Sequence, residues 1–375
     1  MAAKLDKGKS RRRFLTAAAG TAAGAAAMVA MPNVSRAQTV TLKVQGAWGA
    51  KDIFNEFAED FVKRVNAMAG GRLKLDYLLG GSVVKPFSLH DAVHSGVLDG
   101  GHTVAAYWYG KHKAASLFGS APAWGWDANQ MLGWYYYGGG EALYAELMDQ
   151  VLGLNIVGFL SGPMPTQPLG WFKQPVESAE RFRGLKYRTV GLAADLMQAM
   201  GAAVTQLPGG EIIPAMDRGV IDAFEYNNPT SDRRFGAQDV AKTYMMGSYH
   251  QPMEAFEIIF NKTKFNALAD EQKAIIRHSA EAASADMSWK AQDNYSKDLQ
   301  ALIETDRVKV VRTPKSILQA QLDAWDKILP TLTQDPFFKK CVESQRAWVK
   351  RVVFYDLMNR QDQELAYEHF YGKLG

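Results

Sequence analysis

Two histidines in the first third of the chain have the spacing of zinc ligands. His90 and His94 are four residues apart in His90-Asp91-Ala92-Val93-His94, so a helix would carry both on one face. In metalloproteases a glutamate follows the first histidine as general base, whereas the shorter Asp91 stands here and no third ligand is close in sequence. The pattern favours a solvated helix face, and an exported metalloenzyme remains the alternative function.

Three further polar residues lie next to predicted strands. Arg188 ends the predicted strand 185–188, where a guanidinium can bind a carboxylate through two parallel hydrogen bonds. Glu225 follows the predicted strand 220–224 beside a carbonyl-rich turn, an environment that suits a hard cation. Gln167 is held on constrained backbone between two prolines. Taken singly, Arg188 is better explained by a salt bridge and Glu225 by a turn or a cap.

The elements around these residues alternate between strands and helices. Strands are predicted over 40–44, 73–78 and 97–104, with helices over 52–68 and 88–93. This βαβα order predicts an α/β fold with largely parallel strands.

A weak internal repeat indicates two similar lobes. Residues 71–75 are echoed by 183–187, and residues 92–99 by 215–222. In the second pair a helix ends at a glycine, where left-handed backbone is favourable, and a strand follows at once. We therefore expect two α/β lobes, with a small ligand bound in the cleft between them.

The C-terminal part is predicted to be mostly helical, with helices over 269–305 and 316–332 and a short strand over 308–311. Residues 337–374 are almost free of helix breakers, which predicts one long final helix that packs along the first lobe or a second subunit. We therefore divide the chain into five parts. Residues 1–37 form a signal peptide, residues 38–163 with part of the C-terminal region form lobe 1, and residues 164–262 form lobe 2. Residues 263–336 form connecting helices, and residues 337–375 form a long C-terminal helix.

The N-terminus predicts an export signal. The basic segment Ser10-Arg11-Arg12-Arg13 is followed by an apolar run over 17–31 and by a small-residue cleavage site that ends at Ala37. The paired arginines indicate the twin-arginine route, which predicts a periplasmic protein that begins near Gln38. A membrane anchor is the other interpretation, but the apolar run is too short and too rich in alanine and glycine for it.

The composition excludes several classes of protein. The net charge of +4 includes the basic signal, so the mature chain is nearly neutral and lacks the clustered lysine and arginine that nucleic-acid binding requires. Cys341 is the lone cysteine, which excludes an intramolecular disulfide and cysteine-rich zinc sites, and its helical surroundings predict a buried thiol. The sequence has no Walker loop, dinucleotide fingerprint or nucleophile elbow.

Short motifs spread over nearly the whole mature chain carry a resemblance. They are Leu169-Gly170-Trp171-Phe172, Leu207-Pro208-Gly209-Gly210-Glu211-Ile212, Ile221-Asp222-Ala223-Phe224-Glu225, His250-Gln251-Pro252, and the segments 80–84, 92–96, 107–111, 137–140, 184–188 and 260–262. In order and spacing they resemble the DctP-type extracytoplasmic receptors of TRAP transporters. Within that family they are similar to the branch that binds 2-oxoacids or lactate together with a metal ion.

The resemblance implies a binding protein without catalysis. Its fold would be the two-lobed α/β fold of periplasmic binding proteins, with long connecting helices and a long C-terminal helix. An arginine at the place of Arg188 pairs with the ligand carboxylate in such receptors. The ligand-binding residues implied are Tyr107, Gln167, Arg188, Tyr226 and Gln251. The metal-binding residues implied are Gln167, Glu225 and Tyr226.

The resemblance also implies partners. The ligand would be a small organic monocarboxylate, a 2-oxo or 2-hydroxy acid, bound with sodium or calcium and delivered to the membrane permease of the transporter. Relatives form homodimers that exchange the last helix, which would explain the length of 337–374. A receptor subunit that senses the ligand for a membrane kinase is a further alternative with the same binding chemistry.

The chain departs from the family pattern at several places in the expected site. Tyr226 stands where a tryptophan is usual, and Gln251 stands where a glutamate is usual. The loss of that carboxylate predicts weaker binding of a divalent ion. Ala106 and Pro168 replace bulkier or more flexible neighbours, and together these changes predict a ligand larger than pyruvate or lactate.

Overall fold

The computed structural model describes residues 39–120 and 122–373, so the predicted signal peptide lies outside the described residues. The described chain contains two β-sheets with helices packed on them. The first sheet consists of β1 (Val40–Gly46), β2 (Leu73–Leu78), β3 (Gly100–Val104), β4 (Ile156–Met164) and β10 (Glu254–Asn261). The second consists of β5 (Gly170–Phe172), β6 (Lys186–Arg188), β7 (Ala203–Thr205), β8 (Ala223–Phe224), β9 (Thr243–Met246) and β11 (Lys309–Arg312).

The two sheets share one strand plan. The first has the order β2-β1-β3-β10-β4, and the second has the order β7-β6-β8-β5-β9, extended by β11. In each sheet the fourth strand runs antiparallel to its neighbours, while the other strands are parallel. The predicted α/β class with largely parallel strands is therefore confirmed.

The internal repeat corresponds to this plan only in part. Residues 92–99 and 215–222 lead into β3 and β8, which both hold the third position of their sheets. Residues 71–75 and 183–187 lead into β2 and β6, which hold the first and the second position. The repeat of 92–99 in 215–222 thus marks equivalent strands of the two sheets, whereas the repeat of 71–75 in 183–187 does not.

Helices cover both sheets. Their bounds are α1 (Ile53–Met68), α2 (Leu89–Ser95), α3 (Ala128–Tyr137), α4 (Gly140–Glu146), α5 (Leu192–Ala199), α6 (Ile212–Asp217), α7 (Pro229–Arg234), α8 (Ala237–Val240), α9 (Lys262–Asn266), α10 (Asp270–Glu304), α11 (Lys315–Leu332), α12 (Pro336–Asn359) and α13 (Gln363–Tyr371). Helix α1 begins where Asp52 accepts a hydrogen bond from the Phe54 amide at 3.1 Å, because that carboxylate satisfies one of the unpaired amides of the first turn. Its buried face includes Phe57, Phe61 and Val65.

The chain crosses between the two sheets at two adjacent segments. Residues 165–169 lead from β4 to β5, and residues 247–253 lead from β9 back to β10. The segments lie side by side, because the Gln167 amide donates to the Gln251 carbonyl at 3.1 Å and the Thr166 hydroxyl donates to the Pro252 carbonyl at 2.8 Å.

One strand lies in a different sheet from the one that the sequence assigns it to. The range 164–262 was expected to belong to the second lobe, but its last strand, β10, pairs with β3 and β4 in the first sheet. The physical reason is the second crossing: the chain returns to the first sheet and fills the gap between two parallel strands. Sequence periodicity alone carries no information on such a return.

Helix α10 is the third connection between the two halves. It has 35 residues, so it is about 50 Å long at 1.5 Å per residue. It packs on β4 and α1 of the first half and on α7 of the second. Arg64 of α1 binds Asp286 at 2.8 Å, and Arg233 of α7 binds Asp298 at 3.0 Å, so ion pairs tie both halves to this helix. The two-lobed fold with long connecting helices is thereby confirmed.

The C-terminal helix is long, as predicted, but it does not continue to the end of the chain. Helix α12 ends at Asn359, where Arg360 adopts an extended conformation. Asp362 then caps α13 by accepting from the Leu365 amide at 2.9 Å, so a carboxylate offers the backbone a new helix start. Cys341 lies fully buried in α12, which confirms the predicted buried thiol. Among the helices of the described residues, none is both long enough and apolar enough to cross a membrane.

Candidate ligand- and cation-binding site

A small cavity lies beside the two crossing segments. This inner cavity has an empty volume of about 260 Å³. Its wall is aromatic and aliphatic on one side and polar on the other, and its lining residues are Trp48, Phe54, Val104, Tyr107, Gln167, Arg188, Val190, Tyr226, Asn227, Gln251 and Glu254. The part of this space that can hold the centre of a water molecule is only about 10 Å³, so the lining side chains nearly close the cavity. The expectation of a ligand larger than pyruvate therefore stays a prediction.

Arg188 supplies the positive charge of the inner cavity. It is the last residue of β6, and it is buried. Its Nε and Nη2 atoms donate to the Leu207 carbonyl at 2.9 and 2.6 Å, and Nη1 donates to the carbonyl and to Oε1 of Glu225 at 2.8 and 2.9 Å. These bonds hold the guanidinium in one orientation. To bind a ligand carboxylate through two parallel hydrogen bonds, Arg188 would have to release Glu225 and donate from Nη1 to the ligand instead.

Glu225 and Gln251 form one half of the polar wall. Glu225 is fully buried, and burial raises the pKa of its carboxyl to about 7, an effect that Arg188 opposes. The side-chain amide nitrogen of Gln251 lies 3.3 Å from the Thr189 hydroxyl and 3.4 Å from Glu225 Oε1. The amide is thus turned with its oxygen away from Glu225. Gln251 Oε1 and Glu225 Oε2 are both buried, with no hydrogen-bond partner among the described residues.

Gln167 and Glu254 form the other half. The Gln167 amide nitrogen donates to Glu254 Oε2 at 2.7 Å, and the Asn227 amide nitrogen donates to the same oxygen at 3.2 Å. Burial, reinforced by repulsion from Glu225, raises the pKa of Glu254 to about 8. Because the nitrogen of Gln167 faces Glu254, its oxygen points elsewhere, and Oε1 is buried without a partner in the described part of the chain.

These oxygens fit a hard cation. Gln167 Oε1, Gln251 Oε1 and Glu225 Oε2 are acceptors that lack a donor among the described residues, and sodium and calcium bind carboxylate and amide oxygens. The described residues contain no group of three or more histidine, cysteine, aspartate or glutamate side chains that could hold a metal ion, so a cation here would depend on amide and backbone oxygens as well. Glu254 adds a second carboxylate near these oxygens, and the expected weaker binding of a divalent ion stays a prediction.

The aromatic wall comes from both halves of the fold. Trp48 and Phe54 flank the start of α1, and their rings meet edge to face at 4.9 Å. Tyr107 follows β3 and packs on Phe87 at 4.7 Å. Tyr226 follows β8, lies over the Arg188 guanidinium at 5.8 Å, and donates through its hydroxyl to Asp52 at 2.5 Å. The wall therefore presents an apolar surface beside the Arg188 guanidinium.

The structure brings all the sequence-predicted site residues together. Tyr107, Gln167, Arg188, Tyr226 and Gln251 line the inner cavity, and Glu225 contacts two of them. Sequence reasoning missed Glu254, Asn227, Trp48 and Phe54. A usable signal for Glu254 was present, because Glu254-Ala255-Phe256-Glu257 places two carboxylates in an otherwise apolar strand. Asp52 was recognised only as a helix start.

The two histidines do not form a metal site. His90 is fully buried, stacks on Trp108 with ring centroids 3.5 Å apart, and has Nε2 3.4 Å from Glu257. Burial lowers the pKa of His90. His94 accepts a hydrogen bond from the Asn155 amide at 2.8 Å. The solvated helix face expected from the sequence is wrong for His90, because α2 presents this residue to the core.

Known proteins with the same fold share this architecture. Residues 45–335 match the DctP family, bacterial extracellular solute-binding protein, family 7. A monocarboxylate 2-oxoacid-binding periplasmic protein of a Nostoc species is 30% identical over 96% of this chain and 98% of its own length.

Two solved structures are similar over nearly the whole of the fold. A TRAP periplasmic solute-binding protein of Pseudoalteromonas atlantica, with bound sodium and pyruvate, superimposes with a TM-score of 0.81 at 27% identity and covers 89% of this chain and 100% of that one. One of Colwellia psychrerythraea, with bound calcium and pyruvate, has the same TM-score, identity and coverage. These matches, together with the crossing segments and the enclosed cavity, place the chain in the DctP family of bacterial extracellular solute-binding proteins.

Proposed function

We propose that this protein is the receptor of a TRAP transporter that captures a small 2-oxo or 2-hydroxy monocarboxylate together with sodium or calcium. The carboxylate of the acid faces Arg188, and the rest of the acid lies against Trp48, Phe54 and Tyr107. The relatives that bind 2-oxoacids, and pyruvate with sodium or calcium, support this choice of cargo.

One observation carries the proposal: buried acceptors without donors stand beside a buried guanidinium. Gln167 Oε1, Gln251 Oε1 and Glu225 Oε2 find no donor in the described residues, and Arg188 is close to Glu225. A buried acceptor left without a partner costs about 1–3 kcal/mol. Such a group of acceptors is retained because a bound cation would satisfy all of them at once.

The side chains divide the work of binding. Arg188 neutralises the acid, and Glu225, Gln167 and the Tyr226 backbone, with Gln251, hold the cation. A bound cation supplies positive charge that offsets the ligand carboxylate, Glu225 and Glu254. When a bound cation keeps Glu254 ionised, its carboxylate only accepts hydrogen bonds, so it fixes the amide nitrogen of Gln167 towards itself.

Calorimetric titration of the purified mature protein tests the proposal. Pyruvate and lactate are added in calcium chloride, in sodium chloride, and after removal of cations with a chelator. We expect tight binding only when one of the two cations is present. In a thermal-shift assay, an acid at about 100 times its dissociation constant should stabilise the fold by ~2.7 kcal/mol. Absence of binding to every small organic acid under all three conditions would contradict the proposal.

Arg188 variants test the assignment of the charged contact. Arg188→Lys keeps the charge but loses the planar fork, and Arg188→Ala loses both, so affinity should fall in that order, by about 1.5–3 kcal/mol for the second. Arg181→Ala is the matched control, because Arg181 is exposed in the same half of the fold. Unchanged affinity of Arg188→Ala would remove this residue from the site.

A homodimer is part of the same proposal. Helix α13 has no buried side chain, and the region exposes Phe354 (66%), Leu357 (65%), Leu365 (68%) and Phe370 (73%). Large exposed apolar side chains gathered in one segment indicate an interface, and a second copy that exchanges this helix would cover them. Light scattering should show a dimer that Leu365→Glu with Phe370→Glu converts to a monomer, while Glu368→Gln leaves it intact.

We further propose export by the twin-arginine route, followed by delivery of the acid to the transporter's membrane permease. The N-terminal motif Ser10-Arg11-Arg12-Arg13 supports this route. Replacement of Arg11 and Arg12 by lysine should retain the precursor inside the cell, as fractionation and immunoblotting would show. Normal secretion of that variant would argue for a different route.

A further inference from the structure

Two cavities of the described chain share a single lining residue. The inner cavity meets Tyr226 on one side, and an outer cavity of about 640 Å³ meets it on the other. The outer cavity is lined by the loop 49–52, by Gly209 and Gly210, and by Ser231, Arg234 and Phe235. The side chain of Tyr226 is therefore the partition between the two spaces.

The ring of Tyr226 is wedged on several sides. It packs edge to face on Phe235 at 5.2 Å and lies 6.1 Å from the ring of Phe54. A Cβ added to Gly209 would lie 2.4 Å from the ring edge, so the backbone of the 209–210 turn is pressed against it. A rotation of the ring would have to displace one of these neighbours.

A buried carboxylate holds the hydroxyl end of the ring. Asp52 accepts from the Tyr226 hydroxyl at 2.5 Å through one oxygen and from the Ser231 hydroxyl at 2.7 Å through the other. Movement of the ring away from Asp52 would deprive a buried acceptor of a donor. Asp52 precedes α1 in the first half of the fold, whereas Tyr226 follows β8 in the second, so the partition is complete only when the two halves are in contact.

The outer cavity has its own chemistry. Lys51 and Arg234 are on its wall, and Arg234 also pairs with Glu56 at 2.6 Å. The free oxygens and Arg188 that suit a carboxylate with a cation lie only on the inner side. The outer cavity therefore suits the distal end of a longer acid rather than its 2-oxo group.

We propose that Tyr226, pinned by Asp52, sets the maximum chain length of the acid that the receptor accepts. The inference rests on the proposed function, and it assigns a role in specificity to the position where this chain departs from the tryptophan of its family. A short acid would occupy only the space between Arg188 and the aromatic wall. A longer chain is excluded because it would meet the ring of Tyr226 before it reached the outer cavity.

The test is a series of straight-chain 2-oxo acids titrated calorimetrically in calcium chloride: pyruvate, 2-oxobutyrate, 2-oxovalerate and 2-oxocaproate. In the unmodified protein, affinity should decrease once the acid outgrows the inner cavity. In Tyr226→Ala the cavities merge, and each added methylene should instead raise affinity roughly fourfold. Circular dichroism and a thermal melt, which do not depend on ligand binding, show whether this variant is folded.

Two other variants keep the test decisive. Tyr226→Phe keeps the ring but frees it from Asp52, so the longer acids should gain less than in Tyr226→Ala. Ser231→Ala is the matched control, because it also removes a hydrogen bond to Asp52 but does not line the inner cavity, and its chain-length profile should be unchanged. If Tyr226→Ala ranks the acids as the unmodified protein does, the length-setting role is wrong. If the unmodified protein binds none of the acids, the proposed function and this inference both fail.

Discussion

The two faces of strand β10 carry buried carboxylates with opposite surroundings. Glu257 accepts from Trp108 Nε1 and from the Tyr144 hydroxyl, both at 2.5 Å, and has His90 Nε2 at 3.4 Å. Glu254, three residues earlier in the same strand, lines the inner cavity. The acceptors around it and around Glu225, which contacts Arg188 and Gln251, are only partly satisfied. Residues three apart in a strand point to opposite faces, so one strand serves both environments.

The difference separates a structural carboxylate from a binding one. Around Glu257, aromatic donors surround the charge and both of its oxygens are engaged, as the packing of a core requires. Around Glu254 and Glu225, burial raises both pKa values, and oxygens remain without donors. These unmet acceptors are the feature on which our proposal of a cation site rests, and Glu257 has no such feature.

The substitution Glu257→Gln should have the largest effect on stability. The amide nitrogen would face a donor, either the Trp108 indole or the Tyr144 hydroxyl, and leave it unpaired. We expect a loss on the order of 2–4 kcal/mol in the free energy of unfolding, measured by denaturant titration, with acid affinity unchanged. If Glu257→Gln had normal stability but lost acid binding, Glu257 would be the binding carboxylate and the comparison with Glu254 would be wrong. The exposed Glu281→Gln is the surface control.

The same substitution at Glu254 should act in the opposite way. Glu254→Gln removes a buried charge and the fixed partner of Gln167, so calcium affinity in the presence of pyruvate should fall by about 10–100-fold. Without a cation, stability should be unchanged or higher, because the desolvation of that charge is no longer needed. A large loss of stability in cation-free buffer would place Glu254 in the same class as Glu257.

The pH dependence of stability provides a third test. The pKa values of Glu225 and Glu254 are raised from 4.5 in the unfolded chain to about 7 and about 8. The folded state then binds more protons than the unfolded one in this window, so stability without a cation should decrease as pH rises from about 4.5 to about 8. Calcium should reduce this decrease, because a bound cation favours the ionised carboxylates. A rise of stability over the same window would contradict the raised pKa values.

His94→Ala should have the smallest effect. The variant loses one hydrogen bond from the Asn155 amide, worth about 0.5–1.5 kcal/mol. Elemental analysis should find the same metal content in this variant and in the unmodified protein. A loss of bound zinc would restore the histidine pair as a metal site and favour the enzyme.

The sequence predicted the classes of element better than their connections. The amphipathic pattern from Ile53 to Val65 and the cap at Asp52 define α1 locally, because 3.6-residue periodicity depends only on neighbours in the chain. The end of α12 was missed, since no glycine or proline marks it and only the new cap at Asp362 interrupts the helix. The placement of β10 in the first sheet was also missed, because pairing over more than 90 residues leaves no local trace.

The sequence by itself determined the α/β alternation, the resemblance to a receptor family, and a set of residues that meet at one cavity. Those features depend on short-range patterns and on motifs whose order along the chain is visible. Only the tertiary structure decided that Glu254 faces this cavity while Glu257 faces the core, that Asp52 holds Tyr226, and that the His90–His94 pair is divided between two environments. The physical reason is that unsatisfied acceptors and divided cavities arise from contacts between distant segments. These segments come together only because the chain crosses between its two sheets.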